Sequence, residues 1–149
     1  MSIKFGVTFS DVEDFSQVFT NLDGSEIKKL QKYLVHQKYP AHIPICSEGQ
    51  IGDGIFLINQ GAVKVMKKIA GGSKQLGRLE KGDVFGEISF LTKSKFTASV
   101  YTETECDITC LPADKFDEIE RKDLKLAYKI VLSLTKVLAE KLVTVNQLL

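Results

Sequence analysis

The sequence is poor in cysteine and has almost no net charge. Its 149 residues include three cysteines, Cys46, Cys106 and Cys110, and 20 basic residues against 19 acidic ones. An odd and small number of cysteines argues against a disulfide-stapled secreted scaffold and indicates free thiols in a reducing compartment. The net charge of +1 argues against nucleic-acid binding through a broad basic face.

Long hydrophobic runs are also absent. No apolar stretch approaches the roughly 18–20 residues of a membrane-spanning helix, and the N-terminal segment MSIKFGVTFSDVEDF has no apolar region typical of a signal peptide. We therefore expect a cytoplasmic protein without a membrane segment. The hydrophobic and charged fractions, 44% and 26%, are those of a globular protein, and the length fits one domain over residues 1–149.

The periodicity of the apolar residues divides the chain into three zones. The first, residues 11–36, has a helical pattern, and Asp23 is followed three residues later by Glu26. This is the spacing of a capping box, although Ser25 is an alternative cap. We therefore predict N-terminal helices ahead of a β-rich zone.

The β-rich zone covers residues 37–111. Glycines separate its short apolar runs, and Gly71-Gly72 lies between two such runs, as in a hairpin turn. Cys106, Ile108 and Cys110 alternate with polar residues, so they share one face of a strand. Many short strands joined by turns predict a barrel or a double-sheet roll.

Helical periodicity returns in residues 114–149. A short segment carries Phe116 and Ile119, and a long helix is predicted from about Arg121 to near the C-terminus. Its apolar residues recur every three or four positions and offer more surface than a small β-domain can cover. We expect a homodimer through this helix; the alternative is a helix that lies across its own domain. The expected interface residues are Val131, Leu134, Leu138, Leu142 and Val145.

The most informative segment is Lys81-Gly82-Asp83-Val84-Phe85-Gly86-Glu87-Ile88-Ser89-Phe90-Leu91. It is compatible with a strand that breaks into one helical turn. Gly86 would let the backbone approach a ligand closely, the N–H groups after it would point at an anion, and Glu87 would accept a hydrogen bond from a sugar hydroxyl. The alternative is a turn glycine followed by a structural carboxylate.

These residues belong to a wider pattern that resembles the cyclic-nucleotide-binding domain of catabolite-activator-type regulators, cyclic-nucleotide-dependent kinases and gated channels. The resemblance implies a mainly β fold, a double-stranded β-helix or jelly-roll-like β-roll, with N-terminal helices and a long C-terminal helix. It also implies a regulatory, non-enzymatic domain. The residues that carry it are Phe19-x-x-Leu22, Tyr39-Pro40-Ala41, Glu48-Gly49-x-x-Gly52-Asp53, Phe56-x-Ile58-x-x-Gly61-x-Val63-x-Val65, Gly82-Asp83-x-Phe85-Gly86-Glu87, Ala98-x-Val100, Cys106 and Phe116.

The resemblance places a phosphate-binding cassette at residues 85–100, with Glu87 accepting the ribose 2′-hydroxyl. In the family an arginine near the end of the cassette pairs with the cyclic phosphate. Counting from Phe85-Gly86-Glu87, the family's Pro-Arg pair falls on Lys95-Phe96, so Phe96 stands where the arginine is expected. Cyclic AMP, cyclic GMP or another small anion is the candidate ligand. The candidate ligand-binding residues are Gly86, Glu87, Ile88, Ser89, Phe96 and Thr97.

No metal or catalytic site is expected. His36 and His42 flank the start of a predicted strand without a paired His/Cys spacing, and three cysteines fall short of the four ligands that most iron–sulfur sites use. No histidine lies near a serine or cysteine nucleophile in a known catalytic motif.

Two functional hypotheses follow. The first is a sensor in signal transduction, in which a small molecule enters the roll and shifts the long helix. The second is a dimerisation or protein-interaction module with a degenerate pocket, in which the Phe96 ring fills the phosphate site; a buried Phe96 would favour it. In the regulators that the chain resembles, the long helix dimerises and leads into a DNA-binding helix-turn-helix. No such motif follows here, so direct nucleic-acid binding is not expected.

Overall fold

A computed structural model describes residues 3–5 and 18–148, with side chains described from residue 18 to residue 144. Residues 11–17 of the predicted helical zone and the side chain of Val145 lie outside the described residues. No helix in the described ranges combines the length and apolar character needed to cross a bilayer.

Two antiparallel sheets form the centre of the molecule, which confirms the predicted β-roll. The first sheet has the order β1 (Ile3–Phe5), β2 (Val35–Tyr39), β9 (Cys106–Pro112), β4 (Gly54–Gln60) and β7 (Val84–Phe85). The second has the order β3 (Pro44–Cys46), β8 (Ser99–Thr102), β5 (Ala62–Ile69) and β6 (Gly72–Glu80). The predicted hairpin between β5 and β6 is present, but its turn lies one residue earlier, at Ala70-Gly71, because Gly72 already pairs with Ile69 as the first residue of β6.

The flanking helices are α1 (Gly24–Gln31), α3 (Ala113–Lys122) and α4 (Leu124–Leu148), and a short α2 (Glu87–Thr92) interrupts the β zone. The predicted capping box at the start of α1 is confirmed. The Glu26 N–H donates to Asp23 Oδ1 at 2.8 Å, and the Asp23 N–H donates to Glu26 Oε1 at 3.1 Å. This reciprocal pair satisfies two N–H groups that a helix start leaves without partners.

The predicted start of the long helix near Arg121 is wrong. Asp123 leaves the helical conformation, with φ −149° and ψ 81°, and separates α3 from α4. Its Oδ1 accepts the Leu126 N–H at 3.2 Å and so caps the new helix. Apolar spacing continues across this break, which is why periodicity alone did not locate it.

The apolar residues form two clusters, one on each side of the first sheet. The first cluster lies under the helices and includes Leu30, Ile119, Leu126 and Ile130. The second fills the roll. It contains Cys46, Phe56, Ile58, Val63, Phe85, Phe96, Val100, Cys106 and Ile108, with Cys110 packed against it. Cys106, Ile108 and Cys110 therefore share one face of β9, as predicted.

Leu134 does not belong to a dimer interface. It is 0% exposed within a single chain and packs in the first cluster. Helical geometry separates it from a neighbouring row on α4 that the single chain leaves open: Leu124 (69% exposed), Tyr128 (64%) and Leu142 (62%), with Val131 and Leu138 half-buried between them. These positions alternate by four and three residues when Thr135 is included, which is the heptad spacing of helices that pair.

Candidate functional site: the cavity at the β7–α2 turn

Gly86 makes the sharp turn from β7 into α2 possible. Its φ is +85°, and a Cβ at this position would lie 2.8 Å from the Gly54 carbonyl oxygen and 3.2 Å from a Phe56 ring carbon. Side chains with a Cβ are strained in this region of φ. The Phe56 and Phe85 rings stack at 4.9 Å beside the turn, so the turn places Glu87 at a fixed point on the wall of the roll.

All six candidate residues from the sequence line one cavity of ≈ 760 Å³. The structure thus brings together Gly86, Glu87, Ile88, Ser89, Phe96 and Thr97. The rest of the lining is mainly apolar and comes from the second cluster, the β6 strand and the C-terminal part of α4: Cys46, Val65, Leu76, Gly77, Arg78, Leu79, Phe85, Ala98, Val100, Lys141 and Thr144. A concave apolar wall with a few polar groups is the usual form of a small-molecule site.

Glu87 is buried, and it is paired with a lysine that the sequence analysis missed. The Glu87 side chain is 5% exposed, and Lys141 Nζ lies 2.6 Å from its Oε1. The same ammonium donates to the Val84 carbonyl at 2.8 Å. Lys141 lies seven residues after the buried Leu134, on the same side of the helix, but its side chain is 43% exposed, so apolar spacing alone gave no signal for this pair.

Ser89 and Thr97 of the cassette both take part in hydrogen bonds within the chain. The Ser89 hydroxyl donates to the Lys95 carbonyl at 3.2 Å, while the Thr97 carbonyl accepts a hydrogen bond from Lys67 Nζ at 2.6 Å. Ile88 is 52% exposed at the rim. Ser89 therefore holds the end of the cassette in place through its hydroxyl.

Phe96 lies inside the roll. It is 7% exposed and belongs to the second cluster. Its N–H donates to the Gln50 carbonyl at 2.8 Å, and its carbonyl accepts the Gly49 N–H at 2.9 Å. The neighbouring Lys95 is exposed, so the two side chains lie in different environments, as expected for adjacent residues of an extended segment.

The histidines and cysteines lie in other settings. His36 is buried, with Nδ1 3.0 Å from the Thr109 hydroxyl and Nε2 2.5 Å from Asp107 Oδ1, which is the environment of a satisfied core histidine. Burial raises the pKa of the Cys46 thiol, and it raises the pKa of Cys110 to about 12. Thiols with raised pKa values are poor nucleophiles at neutral pH. Within the described residues, no three His, Cys, Asp or Glu side chains are grouped to hold a metal.

Gly86→Ala is expected to destabilise the domain more than Gly82→Ala. Both glycines have positive φ, +85° and +91°, but an added Cβ at Gly82 meets nothing within 4 Å. Gly82→Ala should cost only the left-handed strain of about 1–2 kcal/mol, whereas Gly86→Ala adds a collision with the Gly54 carbonyl. Urea unfolding of both variants measures the difference in free energy of unfolding. Equal losses would contradict the close approach at Gly86.

Known proteins share this fold and sequence pattern. The sequence profile of the family described as "Cyclic nucleotide-binding domain" matches residues 36–123. The human potassium/sodium hyperpolarization-activated cyclic nucleotide-gated channel 2 is 33% identical over 102 residues, which is 68% of this chain and 11% of the channel. The chain therefore spans about a tenth of the length of this curated relative.

Solved structures agree with the family match. A cyclic nucleotide-binding domain from Methylobacillus flagellatus superposes with a TM-score of 0.86 at 22% identity, over 95% of this chain and 83% of that one. The Thermus thermophilus catabolite activator protein gives 0.69 at 24% identity, over 88% and 62%. A cAMP-bound mutant regulatory subunit of a cAMP-independent protein kinase A from Trypanosoma brucei gives 0.67 at 23% identity, over 84% and 46%. Together with the fold, the profile match over more than half of the chain makes the protein a member of the cyclic nucleotide-binding domain family.

Proposed function

We propose that the domain is a regulatory sensor in signal transduction whose cavity takes a small ligand but binds cAMP and cGMP weakly or not at all. The observation that carries the ligand-binding part of this proposal is the cavity of ≈ 760 Å³ beside Glu87. The weak binding of cyclic nucleotides rests on Phe96 at the position that the family pattern gives to a phosphate-binding arginine. Glu87 remains available for a ligand hydroxyl, and the cavity has room for a small molecule. The role is one of binding rather than catalysis, and we place it in the cytoplasm.

The missing arginine has a large energetic consequence for an anionic ligand. A charge-assisted hydrogen bond contributes about 1.5–3 kcal/mol, and loss of one partner of a buried charge pair costs about 2–5 kcal/mol. Affinity for a cyclic phosphate should therefore be lower by tens to thousands of times than in a site with the arginine.

Calorimetric titration with cAMP and cGMP tests the proposal directly. We expect no measurable heat at micromolar nucleotide and, at most, millimolar dissociation constants, because Phe96 supplies no charge to the phosphate. A parallel thermal-shift titration detects binding with little enthalpy change. A micromolar dissociation constant for either nucleotide would overturn the proposed weak binding.

One observation favours a second function. Phe96 packs in the core cluster of the roll, as expected if the phosphate site has been filled and the domain serves as a ligand-free dimerisation or protein-interaction module. An NMR titration distinguishes the two functions. A sensor should show ligand-dependent chemical-shift changes at Glu87 and Ile88. A ligand-free module should show no such changes with any small molecule, and it should still self-associate.

Self-association is the proposed partner interaction in both cases. The open row on α4, with Leu138 and Leu142 near its end, fits a second copy of the same helix in a two-fold homodimer. With a net charge of +1, direct nucleic-acid binding is not part of the proposal.

A further inference from the structure

Lys141 connects the C-terminal helix to the cavity. Its ammonium lies 2.6 Å from Glu87 Oε1 and 2.8 Å from the Val84 carbonyl oxygen. An ammonium group has three hydrogens, so one remains after these two bonds. Because Lys141 is part of the cavity lining, this third hydrogen is available to a group bound there.

Glu87 offers a matching acceptor beside this donor. Its partner among the described residues is Lys141, through Oε1. Asn59 Oδ1 is the only fully buried side-chain oxygen or nitrogen without a hydrogen-bond partner in the described part of the chain. The second oxygen of Glu87 is therefore unpaired and accessible. The ion pair thus presents a hydrogen-bond donor and an acceptor next to each other on an otherwise mainly apolar wall.

The other basic residue of the lining is already engaged. The Arg78 guanidinium donates to Glu80 at 2.8 Å and to Glu103 at 3.1 Å. Lys95 is exposed and absent from the lining. Within the described lining, Arg78 pairs with two carboxylates and Lys141 with one, so Lys141 is the less neutralised cation beside an anion in the cavity.

We propose that Lys141 is a ligand-binding residue that determines specificity. It keeps the buried Glu87 carboxylate paired in the empty cavity and donates its third hydrogen to the anionic group of a ligand whose hydroxyl binds Glu87. The ligand class is a small hydroxylated anion, such as a ribose carrying a phosphate. The inference rests on the proposed function, since it assigns a residue to the same cavity. A lysine acts as a point charge without the planar fork of an arginine, so it supports weak rather than tight phosphate binding.

The test compares two ligands that differ in the anion, cAMP and adenosine, on wild type, Lys141→Met and Lys136→Met. Lys136 is exposed on the same helix and does not line this cavity, so it is the matched control. Binding is followed by chemical-shift titration up to millimolar ligand. Lys141→Met should weaken cAMP binding by about tenfold or more without weakening adenosine binding, and Lys136→Met should change neither.

A double variant separates direct binding from simple neutralisation of Glu87. If Lys141 acts only by cancelling the carboxylate charge, Glu87→Gln combined with Lys141→Met should restore cAMP affinity. If Lys141 donates to the anion, the double variant stays as weak as Lys141→Met, which is the expected result. Lys141→Arg keeps a cation at this position and should therefore retain cAMP binding. If Lys141→Met unfolds, this variant still tests the proposal, because loss of cAMP binding in folded Lys141→Arg would contradict it.

The outcomes distinguish this inference from the proposed function. Equal cAMP affinity in wild type and Lys141→Met, restored affinity in the double variant, or no wild-type binding at millimolar cAMP would each overturn the role of Lys141 while leaving weak nucleotide binding in place. Micromolar wild-type affinity would overturn the weak binding of the proposed function, whatever the effect of Lys141→Met.

Discussion

Replacing Phe96 with arginine is expected to raise the affinity for cAMP by tens to thousands of times. The variant restores the charge that the family pattern places at this position, and a charge-assisted hydrogen bond or buried charge pair is worth about 1.5–5 kcal/mol. The remainder of the cassette is already in place, since Gly86, Glu87 and Ser89 line the same cavity as Phe96. Calorimetry against cAMP at constant ionic strength measures the gain.

The same substitution should lower the free energy of unfolding. Phe96 is 7% exposed in the second cluster, and removal of a buried phenylalanine side chain costs about 3–5 kcal/mol. Circular dichroism and urea unfolding therefore have to show that the variant is folded before its affinity is interpreted. Phe96→Gln serves as the matched control, because it removes the ring and adds polarity without a charge.

A second control tests the alignment of the cassette. Lys95 is exposed and forms an isolated bridge with Ile51, so Lys95→Arg should leave cAMP affinity unchanged. If Lys95→Arg gains affinity and Phe96→Arg does not, the cassette is aligned one residue out of register. A folded Phe96→Arg without any gain would show that the cavity does not bind a cyclic phosphate in the family's manner.

Local sequence signals predicted the order of helical and β zones, and the family resemblance supplied the β-roll. The Asp23–Glu26 capping box and the β5–β6 hairpin depend on interactions between residues near each other in the chain, and both are present in the structure. The break at Asp123 was missed because apolar spacing runs through it, and only the Asp123–Leu126 cap reveals a new helix start.

The candidate site was predictable in part. The turn at Gly86 and the family pattern together predicted six ligand-binding residues, and all six line one cavity. Lys141 was missed because it is 54 residues from Glu87 in the chain, and no local spacing connects them. The contact itself is close, with Lys141 Nζ 2.6 Å from the Glu87 carboxylate.

Burial divides the apolar stripe of α4 into two rows. Sequence spacing assigned Leu134 and Leu138 to the same interface, whereas the structure turns Leu134 into the core and leaves the neighbouring row accessible. Adjacent positions on a wide apolar face can therefore serve two surfaces, one within the chain and one between chains. Only the packing of α4 on the roll determines which position serves which surface.

Leu138→Glu is expected to convert the proposed homodimer into a folded monomer. Burial of a leucine side chain contributes roughly 1.5–3 kcal/mol, and a two-fold interface doubles the loss, since each substitution occurs twice. The new carboxylates would also face each other near the axis. Light scattering coupled to size exclusion measures the mass, and circular dichroism verifies the fold.

Leu142→Glu and Lys136→Glu complete this experiment. Leu142 is 62% exposed in the single chain, so its replacement can act only weakly on the folding of one chain and should still dissociate the dimer. Lys136 lies two residues before Leu138, which places it on nearly the opposite side of α4, and its larger charge change should leave the dimer intact.

A wild-type protein that sediments as a monomer at high micromolar concentration would contradict the dimer. In that case the exposed row Leu124, Tyr128 and Leu142 would need a different partner, because contiguous apolar surface of this kind is uncommon on a soluble monomer.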